Sequence, residues 1–337
     1  MEAKFILSRK KLLEQYNIIK KLCDTVCYSA KTNYEVAEQL EKLTDSQFSI
    51  HSTEGLEKIK DKKKCWFFAQ GWNKEELNNI LEAGIENFVV DNENDLKTLL
   101  ECNKKINLLL RMRLKEHTIH TGKYFVYGMY SEQINKLIPE LRKNKNIGKL
   151  GIHFHRKSQN ISEWSLKYEL QELLAEETLK NINYVNIGGG IPVKYKNFKA
   201  DVLEHIFEEI TKLRNWLKEH NIQLIIEPGR SIAAPCIKLE TTIKNIYNNN
   251  IIINCSVYNS AMDTFVAHTK LEIEGELEEG QAYTIKGTTP CSMDIFRYRV
   301  FLKEPKTGDK IIFLNAGAYN FTTDFCNLKK LKTEVKE

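Results

Sequence analysis

Eight short apolar runs, separated by segments with helical periodicity, constrain the fold of this chain more than any other feature. The intervening segments, such as "NKEELNNILEAG" and "ENDLKTLLECN", repeat their apolar residues at the spacing of an amphipathic helix. Strands that alternate with helices form parallel sheets, and eight of them favour a closed (β/α)8 barrel over a doubly wound open sheet. We predict the strands at 26–30, 47–51, 65–69, 87–90, 107–112, 148–154, 183–187 and 223–227.

The pattern changes after about residue 231. Segments such as "IIINCSVY", "KLEIEGEL" and "DKIIFLNAG" are rich in β-forming residues and are joined by Gly and Asn turns. We therefore predict an α/β protein with a (β/α)8 TIM-like barrel over residues 1–231 and a C-terminal all-β domain over residues 232–337, with residues 1–8 as a candidate addition to the second domain. A chain of 337 residues is long enough for both.

Composition argues against several classes of protein. The N-terminal segment lacks the apolar run of a signal peptide, and no stretch of 18 apolar residues predicts a membrane span. None of the eight cysteines forms a CxxC pair, so we expect no zinc site. In a chain of this length without a signal peptide, we expect the thiols to be reduced and the location to be cytoplasmic. The net charge is +5, and the short basic runs are typical of solvated surfaces rather than of nucleic-acid binding.

Chemistry in a barrel collects at the carboxyl ends of the strands, where this sequence places several polar residues. Lys31 ends the first predicted strand, and a lone ammonium group is costly to bury. The glycines of "IGGG", after the seventh strand, either bring backbone amides close to a phosphate or form a tight turn. In "EPGR", Glu227 could meet a cationic ring nitrogen or form an ion pair, and Arg230 could cap a phosphate.

Two histidines, His153 and His155, end the sixth strand two residues apart. Further metal ligands at suitable spacing are missing, so we expect no metal, and a ring stacked on a flat cofactor suits His155 better. A lysine, a phosphate loop and a carboxylate at three strand ends together describe a site for pyridoxal 5'-phosphate (PLP). In such a site the lysine bonds to the aldehyde, and the carboxylate keeps the pyridine nitrogen protonated.

These motifs also occur in the order found in a known family. The chain resembles the PLP-dependent decarboxylases with an alanine-racemase-like barrel, which include ornithine, diaminopimelate and carboxynorspermidine decarboxylases. The similarity covers nearly the whole chain and is carried by "YSAKTN", "HFHRKSQ", "IGGG", "EPGR" and "NAGAYNF". It implies that Lys31 carries the cofactor, that His155 stacks on its ring and that Glu227 faces the pyridine nitrogen. It further implies cofactor contacts from Arg111, Ser158, Gly188, Gly189, Gly190, Arg230 and Tyr319.

The resemblance also implies residues that act on the substrate. "TPCSMD" is similar to a family segment that reaches across a dimer interface with a cysteine and an acid, here Cys291 and Asp294. Asp294, or alternatively Asp263, would bind a distal amine of the substrate, and two chains would form a homodimer with shared active sites. The chain departs from the family at Lys157, where glycine is usual, and in the shortened spacing of "CSMD".

The function that follows is α-decarboxylation of an amino acid with a distal amine, of the diaminopimelate, carboxynorspermidine, ornithine or lysine type. Three alternatives stay open: an amino-acid racemase on the same fold, a catalytically inactive regulatory binding protein, and a cofactor-free barrel enzyme. Racemases of this type place an arginine at the pyridine nitrogen, and the retention of Lys31, Glu227 and Cys291 argues against an inactive protein. "HTGKYF" at 120–125 resembles the diaminopimelate branch, but "SAMDTFVAH" lacks the arginine expected there.

Overall fold

The structure is a computed structural model that describes residues 2–114 and 127–337. The strands of these residues, numbered in chain order, are β1 Lys4–Ser8, β2 Thr25–Ser29, β3 Gln47–Ile50, β4 Cys65–Phe67, β5 Asn87–Val90, β6 Ile106–Arg111, β7 Ile147–His153, β8 Tyr184–Asn186, β9 Gln223–Ile226, β10 Ile237–Tyr247, β11 Asn250–Ile253, β12 Leu277–Lys286, β13 Ile295–Phe301, β14 Lys310–Phe313 and β15 Lys332–Lys336.

The α-helices of the same residues lie mainly between the strands of the first half of the chain. They are α1 Arg9–Leu22, α2 Tyr34–Leu43, α3 Thr53–Glu57, α4 Lys74–Glu82, α5 Glu93–Glu101, α6 Ser131–Arg142, α7 Leu166–Leu173, α8 Glu176–Asn181, α9 Leu203–Glu219, α10 Arg230–Cys236, α11 Val257–Ser260 and α12 Asp263–Val266. None of these helices combines the length and the apolar character that a membrane span requires.

Strands β2 to β9 form a closed barrel of parallel strands, which confirms the predicted (β/α)8 architecture. Each strand pairs with the next along the chain, and β2 closes the ring by pairing with β9, with Val26 opposite Ile226. The eight predicted strands overlap these eight, although β4 and β8 are shorter than predicted. The carboxyl ends of all eight strands therefore meet at one end of the barrel.

Buried side chains of the barrel pack against one another and form a hydrophobic cluster. The indole Nε1 of Trp66 donates to Oε1 of Gln47 at 2.7 Å, so this large side chain is buried without leaving its polar atom unpaired. Because the interior is packed, the strand ends are left to carry the chemistry. The cluster consists of Cys27, Trp66, Phe68, Val89, Leu109 and Ile225, with the partly buried Tyr184 against it.

The residues after β2 determine where Lys31 lies. Ala30–Thr32 form a single 3-10 turn, and α2 begins at Tyr34. The Oδ1 of Asn33 accepts hydrogen bonds from the backbone amides of Glu35 at 2.9 Å and Val36 at 3.2 Å. Asparagine is among the preferred residues at this position because it satisfies amides that the helix leaves unpaired. The cap fixes the start of α2 and thereby holds Lys31 in the turn.

A second sheet, of seven strands, is built from both ends of the chain. Its order is β13-β12-β11-β10-β1-β15, and β14 also pairs with β10. Strand β1 runs antiparallel to β10 and parallel to β15. The N-terminal strand thus lies between two strands from the C-terminal part of the chain.

The chain divides into two compact units. The barrel unit comprises Tyr16–Pro192 and Asp201–Gly229, and the sheet unit comprises Met1–Gln15, Val193–Ala200 and Arg230–Glu337. A single boundary after residue 231 does not describe units that interleave in this way. Within the sheet unit, the backbone amide of Lys196 donates to the carbonyl of Lys270 at 2.9 Å, which ties the short segment Val193–Ala200 to this unit.

Gly151 tests how tightly the barrel wall is packed. It lies in β7 and pairs in register with Leu109 of β6 and Tyr184 of β8. A Cβ at this position would overlap the carbonyl oxygen of Tyr184 and lie 2.8 Å from Cδ2 of Leu109. We expect Gly151→Ala to lower the free energy of unfolding by about 1–3 kcal/mol, as overpacking of a core does, measured by urea unfolding.

Gly148→Ala on the same strand is the matched control. Gly148 is exposed, and its Cβ would approach the side-chain Oδ1 of Asn107 at 2.9 Å. Because a side chain can move more easily than a strand backbone, we expect a smaller loss of stability. Equal losses in the two variants would contradict the packing argument.

Candidate active site

Lys31 lies at the carboxyl end of β2, and its Nζ is 3.4 Å from Nε2 of His51. The side chain reaches solvent. The protein around the amine still desolvates it in part, and this lowers the pKa of Lys31 because burial disfavours the charged form. The carboxylate of Glu227 opposes this shift, and the guanidinium of Arg111 adds to it. A lowered pKa increases the fraction of neutral amine, which is the form that attacks carbonyl carbon.

His51 follows β3 and faces Lys31. Its ring centroid lies 5.7 Å from that of Phe68, and its buried Nδ1 has no hydrogen-bond partner among the described residues. Burial, and then the charge of Lys31, lower the pKa of His51 to about 4. The imidazole is therefore neutral near neutral pH, so its Nε2 can accept a hydrogen bond from the Lys31 ammonium group.

Glu227 follows β9, and residues from the two preceding barrel strands hold its carboxylate. Its Oε1 accepts a hydrogen bond from Nδ2 of Asn186 at 2.7 Å, and its Oε2 lies 3.5 Å from Nε2 of His153. Burial alone would raise the pKa of Glu227, but His153, His51 and Asn186 outweigh this and lower the pKa to about 2. The carboxylate is thus a buried group that stays ionised.

The glycine loop, Gly188 to Gly190, adopts a backbone that only small residues tolerate. Gly188 has a φ of +65° and Gly190 a φ of +108°. A Cβ on Gly189 would lie 2.6 Å from the carbonyl oxygen of Glu227, and one on Gly190 would lie 2.5 Å from that of Lys157. The loop is therefore a tight turn packed against two neighbouring segments. A phosphate contact at its amides stays a prediction.

His155 is held against this loop by a hydrogen bond. The backbone amide of Gly189 donates to its Nδ1 at 3.2 Å, so the neutral ring carries its proton on Nε2. The side chain reaches solvent, but partial burial, followed by the charge of His153, lowers the pKa of His155 to about 4. The result is a neutral, oriented ring beside the glycine loop. Ser158 is exposed in the same segment.

Lys157, which replaces the family's usual glycine, has its charge paired locally. Its Nζ lies 2.8 Å from Oε1 of Glu163, and Nη1 of Arg156 lies 2.9 Å from Oε2 of the same carboxylate. The atom nearest to a Cβ built on Gly190 is the backbone carbonyl oxygen of Lys157. The substitution therefore adds an ion pair in this segment.

Arg111 ends β6 and is positioned by a buried acid. Its Nη1 donates to Oδ1 of Asp91 at 3.0 Å, and Asp91 is buried at the end of β5. The guanidinium carbon lies 5.2 Å from the ring centroid of Phe68 and 5.0 Å from that of Tyr127. These contacts hold a cation at the end of the barrel where Lys31 lies.

In the sheet unit, Arg230 forms a buried ion pair with Asp263. Its Nη2 lies 2.8 Å from Oδ1 of Asp263, and its Nη1 donates to Oδ2 of Asp263 and to the hydroxyl of Tyr195, the latter at 2.9 Å. Burial alone would lower the pKa of Arg230, but Asp263 and Tyr195 raise it. The ring of Tyr319 lies 5.3 Å from the guanidinium carbon. Arg230 and Tyr319, both predicted phosphate ligands, thus lie together.

Cys291, also in the sheet unit, is half-buried, and its Sγ lies 3.1 Å from the hydroxyl of Tyr258. This hydrogen bond, with one from the backbone of Met293, lowers the pKa of Cys291. Asp294 is buried, and both of its oxygens have partners: Oδ1 accepts from the amide of Val257 at 2.9 Å, and Oδ2 accepts from the amide and hydroxyl of Thr289. Asp263 and Asp294 therefore both serve internal contacts.

The barrel brings together the predicted residues Lys31, Arg111, His155, the glycine loop and Glu227 at one end. His51 is the last residue of the predicted strand 47–51, but sequence reasoning assigns it no role in the site. Asn186 is not singled out, because it lies inside the predicted strand 183–187 and carries no such signal of position. The segment "HTGKYF" lies outside the described residues.

Comparison with known proteins decides the family. Residues 9–234 match the model of the pyridoxal-binding domain of the pyridoxal-dependent decarboxylases. The chain belongs to this family. Its members are PLP-dependent carboxy-lyases, so the predicted family, cofactor and enzyme class are confirmed.

Two curated relatives of this decarboxylase are named for diaminopimelate. A diaminopimelate decarboxylase of Aquifex aeolicus is 23% identical, and the match covers 92% of this chain and 80% of that protein. A probable chloroplastic diaminopimelate decarboxylase of Oryza sativa is 25% identical, with 77% of this chain and 57% of that protein covered. The chain thus spans little more than half the length of the rice relative.

Solved structures share the fold. Diaminopimelate decarboxylase from Helicobacter pylori, complexed with L-lysine, superimposes with a TM-score of 0.84 at 20% identity and covers 100% of this chain and 92% of its own. Lysine/ornithine decarboxylase from Vibrio vulnificus, complexed with putrescine, gives a TM-score of 0.80 at 21% identity and covers 99% of this chain and 94% of its own. At these identities the likeness supports the barrel-plus-sheet fold alone.

The barrel unit fits PLP by its own geometry. Lys31 offers an amine with a lowered pKa, and Glu227 offers an ionised carboxylate. Buried polar atoms at the same end, Oγ1 of Thr32, Oγ of Ser49 and Nδ1 of His51, have no hydrogen-bond partner among the described residues. Buried polar atoms are normally paired, so such a group of unpaired atoms is typical of a ligand site.

The free energy of unfolding should depend on pH in part through the protonation of His51. Its pKa is about 4 in the folded chain against an ordinary 6.5. Below about pH 6.5 the unfolded chain therefore binds more protons, and the folded state loses stability as the pH falls toward 4. We expect His51→Gln to remove part of this loss, measured by urea unfolding of the PLP-free protein at about pH 7 and about pH 4.5. An identical drop in wild type and variant would show that His51 is not responsible.

Proposed function

We propose that this decarboxylase removes the α-carboxylate of an amino acid with a second, distal amine. Three observations support the proposal: the family, the position of Lys31 and Glu227 at the same end of the barrel, and the names of the relatives. Those relatives are named for diaminopimelate, and the structural neighbours for diaminopimelate, lysine and ornithine. All three compounds carry an amine far from the reacting carbon, and diaminopimelate is the first substrate to test.

The predicted cofactor ligands, most of them in the barrel unit, each have a proposed part in this reaction. Bound PLP supplies an electron sink for the pair left at the substrate α-carbon when CO₂ departs. Lys31 would attach the cofactor and yield its place to the substrate amine. Glu227 would hold a proton on the pyridine nitrogen, since a nearby negative charge favours the protonated form. His155 would pack against the ring, and phosphate contacts would come from Ser158, Gly188, Gly189, Gly190, Arg230 and Tyr319, with Arg111 nearby.

The sheet unit would supply groups that act on the substrate. Cys291 would return a proton to the α-carbon from its Sγ, and its hydrogen bond with Tyr258 favours release of that proton. Asp294 and Asp263 stay the proposed ligands of the distal amine. Either carboxylate would have to exchange a partner that it holds internally, Thr289 or Arg230 respectively.

Release of CO₂ from a panel of amino acids tests the proposal. The panel is meso-diaminopimelate, L-lysine, L-ornithine and carboxynorspermidine, with L-norleucine as the matched compound that has the length of lysine but no distal amine. We expect CO₂ from one or more of the diamino compounds and little from norleucine. Racemisation without CO₂, or binding of PLP with no CO₂ from any compound, would refute the proposal.

Glu227→Gln isolates the charge at position 227. The substitution keeps the size of the side chain and its contact with Asn186 but removes the negative charge. We expect kcat to fall by about 100-fold, in line with the loss of other preorganised electrostatic groups. The variant should still attach PLP at Lys31, checked by borohydride reduction and peptide mass mapping. A kcat near that of wild type would mean that the charge is not used.

A second part of the proposal concerns how two copies of the chain assemble. We propose a homodimer with two-fold symmetry in which each site takes Lys31 from one chain and Cys291 from the other. Inactive Lys31→Ala and Cys291→Ala chains, mixed and exchanged at random, should then regain about a quarter of the wild-type activity, because half of the dimers are mixed and each has one intact site. Lys31→Ala mixed with Glu227→Ala is the control, since both changes lie in the barrel unit and no intact site forms. Recovery in neither mixture after verified exchange would contradict shared sites.

A further inference from the structure

We propose that Asn186 is the positioning residue that fixes the orientation and charge of Glu227 and ties this carboxylate to the glycine loop. Asn186 is the last residue of β8, and its side chain is fully buried. It pairs in register with His153 of β7 and Ile225 of β9. Glu227 follows β9, two residues beyond Ile225, and its carboxylate contacts both Asn186 and His153. Polar side chains from β7, β8 and the residue after β9 thus meet at one point.

Three hydrogen bonds close a ring through Gly188, Asn186 and Glu227. The amide of Gly188 donates to Oδ1 of Asn186 at 2.9 Å, and Nδ2 of Asn186 donates to Oε1 of Glu227 at 2.7 Å. The backbone amide of Glu227 then donates to the carbonyl of Gly188 at 2.7 Å. Because a backbone amide can only donate and an ionised carboxylate can only accept, the orientation of the Asn186 amide is fixed.

Asparagine is the side chain whose two ends match both partners. An aspartate at 186 would place a second carboxylate against Glu227, and a leucine would offer neither a donor nor an acceptor. Either change leaves a buried charge with one donor fewer, which raises the cost of ionising Glu227. The ionisation of Glu227 therefore depends on Asn186, a residue that needs no contact with the cofactor.

The ring also links parts of the site that sequence motifs treat as separate. Gly189, next to Gly188, donates to Nδ1 of His155 at 3.2 Å. A change at Asn186 that shifts the loop would therefore shift His155 as well as Glu227. This inference rests on the proposed roles of Glu227, His155 and the loop toward PLP.

Asn186→Leu is the first test, because leucine is similar in size and removes both hydrogen bonds. The readouts are the affinity of the PLP-free protein for PLP, the pH dependence of the visible spectrum of bound PLP, and kcat at saturating PLP. We expect the Kd for PLP to rise about tenfold or more, the ratio associated with one charge-assisted hydrogen bond, and kcat to fall by about 10–100-fold. Unchanged affinity, spectrum and kcat would overturn the inference.

Asn186→Asp separates electrostatics from packing. Near neutral pH its carboxylate faces that of Glu227, so the pair retains a proton with a raised pKa. As the pH falls from about 8 to about 5.5, a protonated aspartate can donate to Glu227 as the amide does. We expect the PLP affinity of this variant to approach that of wild type over this range, whereas that of Asn186→Leu does not. If Asn186→Leu does not fold, the test is the comparison of Asn186→Asp with wild type. A PLP affinity of Asn186→Asp that equals that of wild type at every pH would then overturn the inference.

Asn87→Leu is the matched control. Asn87 is a buried asparagine at the amino end of β5, where its Nδ2 donates to the carbonyls of Lys63 at 2.9 Å and Cys65 at 3.1 Å. It should lose stability but keep its PLP affinity, and an equal loss of affinity in both leucine variants would overturn the inference. Failure of the proposed function would look different: wild type would bind PLP yet release no CO₂, and the PLP affinities would still test Asn186.

Discussion

The pairing of β2 with β9 is the constraint on which the rest of the barrel unit depends. It joins the first and last strands of the ring, with Val26 opposite Ile226. Lys31 and Glu227 are far apart in sequence, and this closure is what brings the amine and the carboxylate to neighbouring strand ends. An open sheet with the same strands would leave these two groups at opposite edges. The closed strand order of the barrel is thus what brings these two groups into one site.

The site keeps a buried carboxylate ionised while it keeps two nearby imidazoles neutral. Glu227 stays ionised although burial opposes it, because Asn186 and His153 stabilise the anion. His51 and His155 stay neutral, since burial and neighbouring positive charge disfavour their protonation. A fixed anion beside two neutral rings defines one direction for a cation to approach. Such preorganisation spares the reaction the cost of arranging these dipoles in each turnover.

The sequence was sufficient to predict the strands and the residues at their ends, because apolar runs and strand-end polar residues are local signals. Lys31 and Glu227 are of this kind. The role of Asn186 could not be predicted in this way, since it depends on the register between β7, β8 and β9. Asp263 and Asp294 illustrate a second limit. A motif can identify a carboxylate, but only the fold shows that Arg230 or a backbone amide already engages it.

Strand β1 has a consequence for how this chain is made. Its two partners in the sheet, β10 and β15, are synthesised long after it, and β15 comes last. During that interval both edges of β1 present unpaired amide and carbonyl groups, which are templates for pairing with other chains. The barrel strands β2 to β9 lie between β1 and β10 in sequence, and each from β3 onward can pair with the strand before it as it emerges. Both edges of β1 are therefore paired only after Lys332–Lys336 has been added, and until then one edge stays open to such pairing.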